Sequence, residues 1–211
     1  MTKEKLIKSL ISAGYLKTPA IIGAFEKIDR ADFVRDEYKD EAYANYPLPI
    51  GESQTISQPL TVAFMLELLE PRAGEKILDI GVGSGWQAAL LAQIAGESGR
   101  VVGVERIEEL KNFAEKNIAK YGFLEKGMVK PVLGDGSRGF ADEAPYDKII
   151  AAASGKEIPQ FWKDQLKIGG RIVAPVGQSI VVLDKKGPTE FPEKRYFGFS
   201  FVPLIVDGKQ T

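Results

Sequence analysis

The sequence predicts an α/β fold: a doubly wound, mostly parallel sheet with an N-terminal helical cover and an antiparallel C-terminal hairpin. Three observations carry this. Across residues 76–176, short apolar β-branched runs alternate with stretches that are apolar at helical spacing, and such alternation implies parallel strands joined by right-handed crossovers. Before them, residues 3–28 show helical periodicity alone. After them, residues 178–183 and the alternating Phe197, Phe199 and Phe201 flank a turn at 184–188, the pattern of a hairpin.

Taken in order, Leu6, Ile7, Leu10 and Ile11 form one helical stripe with Gly14 as its stop. Thr18-Pro19 reads as an N-cap followed by an N1 proline, and Ile21, Ile22, Phe25 and Ile28 give the second stripe. Residues 41–58 show no periodicity. They are expected to be a long loop without structure of its own, and such loops are often functional. Pro59 opens a third helix with Val62, Leu66 and Leu69 on one face, ended by Pro71 and Gly74.

Ile77, Leu78 and Ile80 then make a run too short for a helix, read as a buried strand. Gly81, Gly83 and Gly85 follow, then Ala88, Leu90, Leu91 and Ile94 at helical spacing. The strand 100–104 ends in Glu105, and Leu110, Ala114, Ile118 and Tyr121 mark the next helix, stopped by Gly122. Pro131 lacks a ladder donor, so the strand 128–133 belongs at a sheet edge. A strand at 147–153, a helix at 159–168 and a strand at 171–176 complete the alternation.

Composition narrows the function. The chain has 211 residues, a formal charge of −1, and neither cysteine nor histidine. Disulfides, a thiol nucleophile, thiolate or imidazole metal ligands and the usual catalytic triads are all excluded, and no metal site is expected. Interspersed charge gives no reason to expect nucleic acid, and no apolar run reaches membrane length. Met-Thr-Lys-Glu-Lys is no signal peptide, so a cytoplasmic location is expected. One domain spanning 1–211 is expected, with 1–58 as helical cover and substrate loop and 59–211 as the α/β core; a monomer is expected.

Strand, spaced glycines and helix place bare backbone amides at a helix N-terminus, where a ligand approaches closely. An acid at the end of the next strand stands where ribose hydroxyls are held. Gly81, Gly83, Gly85, Glu105, Asp135 and Gly136 all fall at carboxyl ends of consecutive strands, the ligand edge of an open α/β sheet. Glu105 and Asp135 could otherwise be solvated loop acids, and Asp79 could bond the loop backbone or a ligand. Trp86 stands where a dinucleotide fingerprint wants its third glycine, which speaks against a nicotinamide enzyme, although a non-catalytic nucleotide-binding module stays open.

The pattern Asp79-x-Gly81-x-Gly83-x-Gly85 resembles the first motif of S-adenosylmethionine-dependent methyltransferases. Residues 48–59, Leu-Pro-Ile-Gly-Glu-Ser-Gln-Thr-Ile-Ser-Gln-Pro, narrow the resemblance to the protein-L-isoaspartate O-methyltransferases. Val104-Glu105-Arg106, Gly134-Asp135-Gly136, Glu157-Ile158-Pro159 and Phe201-Val202-Pro203-Leu204 extend it from about residue 20 to the C-terminus. The resemblance implies a Rossmann-like methyltransferase fold, S-adenosyl-L-methionine as cofactor, and isoaspartyl-containing proteins and peptides as acceptors, methylated on the free α-carboxylate. It implies cofactor contacts at Asp79, Gly81, Gly83, Gly85, Glu105, Asp135 and Gly136. It further implies Ser57 as the active-site residue, with Thr55 and Ile56 beside it at the substrate. From the residues alone, Ser57 is also placed to cap the helix that starts at Pro59, and the two roles need not exclude each other. Another acceptor for the same fold also stays open. Ser53 stands where the family usually has glycine, so its turn should be less free to adopt positive φ. Val82, Trp86 and residues 152–156 also depart from the family pattern, the last of them on the expected substrate side.

Overall fold

The computed structural model describes residues 1–206. Helices α1 (Lys3–Ser12) and α2 (Pro19–Lys27) precede a hairpin of β1 (Leu48–Gly51) and β2 (Gln54–Ile56), and α3 (Pro59–Leu69) follows it. The alternating core is β3 (Lys76–Ile80), α4 (Trp86–Ala95), β4 (Arg100–Glu105), α5 (Glu108–Ala119), β5 (Val129–Leu133), β6 (Tyr146–Ala151), α6 (Gln160–Gln165) and β7 (Leu166–Val176). Two further strands, β8 (Ser179–Asp184) and β9 (Glu193–Phe197), are the last regular elements among the described residues.

The strand order in the seven-stranded sheet is β5-β4-β3-β6-β7-β8-β9. Strands β3 to β7 run parallel, and β8 and β9 add antiparallel pairs. Central strands buried on both faces should be apolar almost throughout. Those of β3, β4 and β6 are: Ile77, Val101 and Ile150 pack on one face, and Leu78, Val102 and Ile149 on the other. Pro131 lies in β5 at the edge, as its missing donor requires. The chain builds β4 and β5 on one side of β3, then returns to place β6 on the other. The crevice at the carboxyl ends of β3 and β6 is therefore the topological switch point, where open sheets bind ligands.

Helices α1 and α2 cover the α4 side of the sheet, with Leu6, Leu10, Ile21 and Phe25 in the core. Pro19 takes N1 of α2, but Thr18 makes no side-chain cap. Its hydroxyl instead donates to Glu67 Oε2 (2.7 Å), while Glu67 Oε1 accepts the Lys17 and Thr18 amides. A carboxylate on α3 thus does the capping from outside.

Three expectations need correction. Residues 41–58 are not structureless: β1 and β2 pair antiparallel, Leu48 opposite Ile56 and Pro49 opposite Thr55. Strands of four and three residues are too short to announce themselves by alternation. Their turn places Glu52 and Ser53 at φ 51° and 55°, so Ser53 takes the left-handed conformation despite its side chain, at a cost of roughly 1 kcal/mol. The helix foreseen at 159–168 stops at Gln165, and β7 starts at Leu166. The reason is the pairing of Leu166 with Tyr146 and of Lys185 N–H with the Gly170 carbonyl (3.0 Å), which local periodicity cannot reveal. Finally, only Phe197 of the three alternating phenylalanines lies in a strand, and it is exposed. Phe199 stacks on Phe64 with ring centroids 5.4 Å apart, and Phe201 reaches the ligand crevice.

Candidate active site

The glycine turn follows from where its neighbours must go. Gly81 N–H donates to the Val104 carbonyl (2.8 Å), extending the β3–β4 ladder, and the chain then reverses into α4 through Gly81, Gly83 and Gly85, all at positive φ. A cavity of about 430 Å³ opens over this turn. Gly81 and Gly83 line its floor, Val104, Glu105 and Ile107 one side, and Gly136 and Ala152 the ends of the neighbouring strands. The β1–β2 hairpin forms the opposite side: a Cβ placed on Gly83 would lie 3.3 Å from Ile50 Cδ1. Thr55, Ile56 and Ser57 face the same cavity.

Glu105 is buried rather than solvated. Its Oε2 accepts the Gly83 amide (2.9 Å), and its Oε1 accepts those of Arg106 (2.9 Å) and Ile107 (3.1 Å). A carboxylate offers about four lone-pair sites, so these bonds fix the group and leave it able to accept a hydroxyl from the cavity. Asp135 is likewise not a solvated acid. Its Oδ1 accepts the Ser137 amide (2.9 Å), capping the turn Gly136–Arg138, and the cavity is lined by Gly136 rather than by the Asp135 side chain.

Two predicted cofactor residues lie behind the cavity wall. Gly85 faces α5: an added Cβ would sit 3.0 Å from Ile118 Cδ1 and 3.2 Å from Ala114 Cα. Asp79 is wholly buried and bonds a side chain, not the loop backbone: Gln87 Nε2 donates to its Oδ1 (2.7 Å), and Oδ2 has no partner among the described residues. Burial pushes its carboxyl up to about 7, against the Gln87 bond and helped by the charge of Glu105. The sign for stability follows. Between the ordinary carboxylate pKa near 4 and about 7, the folded chain holds a proton that the unfolded chain has released, so stability falls as pH rises through that window. Asp79→Asn mimics the protonated form at every pH. In urea unfolding it should be more stable than the parent at pH 8, and the gap should close toward pH 4; a constant gap would mean that Asp79 is ionised throughout.

Ser57 is half-buried, and its hydroxyl makes no hydrogen bond among the described residues. The N-cap of α3 is Gln58, with no side-chain capping bond, so the capping role is not realised.

Comparison with known proteins decides the family. The model of the protein-L-isoaspartate(D-aspartate) O-methyltransferases matches residues 1–210. A protein-L-isoaspartate O-methyltransferase of Methanopyrus kandleri is 43% identical over 96% of this chain and 91% of its own. That of Ignicoccus hospitalis is 41% identical over 97% and 98%. The chain belongs to the protein-L-isoaspartate O-methyltransferase family. Among solved structures, a protein-L-isoaspartate O-methyltransferase superposes with a TM-score of 0.88 at 29% identity, covering 98% of this chain and 67% of that one. A Plasmodium falciparum structure in complex with S-adenosyl-L-homocysteine superposes with a TM-score of 0.87, covering 97% and 99%; at 23% identity that likeness concerns the fold.

Within this methyltransferase the departures from the family pattern have visible surroundings. Trp86 is buried beside the cavity, edge-to-face with Phe25 at 5.5 Å, and the Arg30 guanidinium lies 5.3 Å from its ring centroid. Ala152 and Ala153 line the cavity, and Ser154 pairs with the tail: its amide donates to the Val202 carbonyl and its carbonyl accepts the Leu204 amide, both at 2.8 Å. That pairing brings residues 200–205 over the cavity as a wall. Of this stretch the sequence assigns Phe201 to a hairpin, whereas the structure makes it part of the wall. Ile107 and Leu110 were also missed, although an apolar pair opening the helix after Glu105 was a usable signal.

Proposed function

We propose that this protein methylates the free α-carboxylate of L-isoaspartyl residues in damaged proteins. The ester then closes to a succinimide as the following backbone nitrogen displaces methanol, and hydrolysis can reopen it as aspartate. Family membership supports the reaction class. The observation that carries the assignment of roles is that the acceptor loop (Thr55, Ile56, Ser57) and the glycine turn share one cavity, in a chain without histidine or cysteine.

The residues suit the cofactor. Bare backbone at Gly81, Gly83 and Gly136, a buried carboxylate with accepting capacity at Glu105, and apolar Val104, Ile107 and Leu110 match a nucleoside in kind. Gly81 and Gly83 would hold the methionine part, Glu105 the ribose hydroxyls and Gly136 the adenine, while Asp79, Gly85 and Asp135 support them from behind. When bound, S-adenosylmethionine supplies an electrophilic methyl group on a sulfonium cation.

A free α-carboxylate titrates near pH 4, so the acceptor arrives ionised, is its own nucleophile and needs no base. What remains for the chain is alignment and exclusion of water, worth several orders of magnitude when well done. Ser57 and Thr55 hydroxyls would hold the carboxylate by neutral hydrogen bonds, which orient it without blunting its charge as an arginine clamp would. Ile50, Val82, Phe201 and Leu204 line the cavity and would keep it dry. No helix among the described residues is long and apolar enough to cross a membrane.

Labelled methyl transfer to a synthetic isoaspartyl peptide, run beside its aspartyl twin, tests this. Base-labile label on the isoaspartyl peptide alone is expected. Equal labelling of both, or of neither while S-adenosylhomocysteine still binds, would assign a different acceptor.

A further inference from the structure

Among the described residues, Arg30 is the arginine that the fold buries completely. It opens a short 3-10 turn (Arg30–Phe33) and is 2% exposed. Its neighbour Asp29 does not neutralise it: Asp29 Oδ1 accepts the Tyr43 hydroxyl (2.8 Å) and the Ala31 amide (3.0 Å), and its other oxygen lies 3.7 Å from Lys3 Nζ. Among the described residues Arg30 has no carboxylate partner. Burial pulls its pKa down to about 10, so it remains charged at neutral pH.

All its bonds go to main-chain carbonyls. Nη1 donates to Ala42 (2.7 Å) and Ala44 (3.3 Å); Nη2 donates to Tyr46 (3.1 Å) and Ser57 (3.1 Å). The guanidinium also lies over Trp86, the first residue of α4 behind the glycine turn. A second tie runs parallel: Gln58 Nε2 donates to the Asn45 carbonyl (2.9 Å), and Asn45 Oδ1 accepts the Leu60 amide (3.0 Å). Burying an unpaired cation is expensive, and a planar fork that reaches several acceptors at once is what arginine has and lysine lacks.

We infer that Arg30 is a positioning residue for methyl transfer: it clamps residues 42–46 to the Ser57 carbonyl and so holds the Ser57 and Thr55 hydroxyls over the glycine turn. The inference deepens the proposed reaction and rests on it for its kinetic readout. Arg30 touches neither substrate nor reacting atoms, so its loss should appear in turnover rather than in cofactor affinity.

The test uses Arg30→Lys and Arg30→Ala in the full chain. Expected for Arg30→Lys is a fall in kcat on the isoaspartyl peptide of about thirtyfold or more, with S-adenosylhomocysteine affinity within about threefold of the parent. Millimolar guanidinium, but not equal sodium chloride, should partly restore Arg30→Ala. Backbone amide exchange at residues 54–58 should accelerate about tenfold in Arg30→Lys while residues 81–85 keep their protection. Unchanged kcat and unchanged exchange would overturn the inference. So would parallel losses of turnover, cofactor affinity and melting temperature, which would make Arg30 a general stabiliser. Should Arg30→Ala not fold, Arg30→Lys decides alone. Should the parent itself not methylate the peptide, the proposed reaction fails, and the exchange measurement still decides whether Arg30 holds the loop.

Discussion

Ser57→Ala is expected to lower kcat/KM for an isoaspartyl peptide about a hundredfold and to leave the melting temperature unchanged. The magnitude is that of one hydrogen bond to a charged group, about 1.5–3 kcal/mol, lost where a carboxylate must be aimed. The unchanged stability follows from geometry. The Ser57 hydroxyl bonds nothing among the described residues, and the first turn of α3 is capped from outside by Asn45, whose Oδ1 accepts the Leu60 amide (3.0 Å). Had Ser57 been a working N-cap, alanine would cost about 1 kcal/mol, or a melting shift of roughly 2–4 °C in a chain of this size. Thermal melts and steady-state kinetics on the same preparation therefore separate the roles. Ser57→Thr keeps a hydroxyl and should recover part of the rate. A Ser57→Ala variant with normal turnover and a lower melting temperature would return the residue to a capping role and leave Thr55 as the remaining hydroxyl of the pair.

How far the sequence could be read depended on how local each feature is. The strand, the glycine turn and α4 are set by neighbours close in the chain, and they appear where apolar spacing puts them. Pro131 marked the sheet edge because the missing donor is a property of one residue. Glu105 was found from its place at the end of β4, yet its bond to the Gly83 amide was not, since Gly83 is brought to it only by the fold. The β1–β2 hairpin escaped notice because its turn uses Glu52 and Ser53 at positive φ, where glycine or asparagine would have signalled it. The β7 start and the wall at 200–205 depend on partners far along the chain, Tyr146 and Ser154. Arg30 was invisible for the same reason: in sequence it is one charge among many, and only the fold shows four carbonyls converging on it. The resemblance to the isoaspartyl methyltransferases supplied site residues, but it treated Gly81, Gly83 and Gly85 alike. The structure divides them.

That division makes Gly85→Ala the second test of large effect. Gly85 is at φ 90°, and its added methyl would meet Ile118 Cδ1 and Cγ1 at 3.0 Å and the backbone Cα of Ala114 at 3.2 Å. The α5 helix cannot retreat easily, because the buried Asn117 side chain donates to the Ser84 carbonyl (3.0 Å) and ties α5 to the same turn. Left-handed strain of roughly 1 kcal/mol and overpacking of about 1–3 kcal/mol add to about 3 kcal/mol of lost stability. At this chain length that is a fall of about 6–12 °C in melting temperature. Gly83→Ala is the informative contrast. Gly83 lines the cavity, and its methyl would press chiefly on the movable end of Ile50 at 3.3 Å. Its stability loss should therefore stay near the left-handed strain of roughly 1 kcal/mol, and the larger loss should fall on S-adenosylhomocysteine affinity. Melting curves and calorimetry on the two variants should thus give opposite rankings. If Gly85→Ala melted like the parent but failed to bind S-adenosylhomocysteine, Gly85 would be a ligand contact after all. The packing of α5 against the turn would then lose its place as the reason that position is glycine.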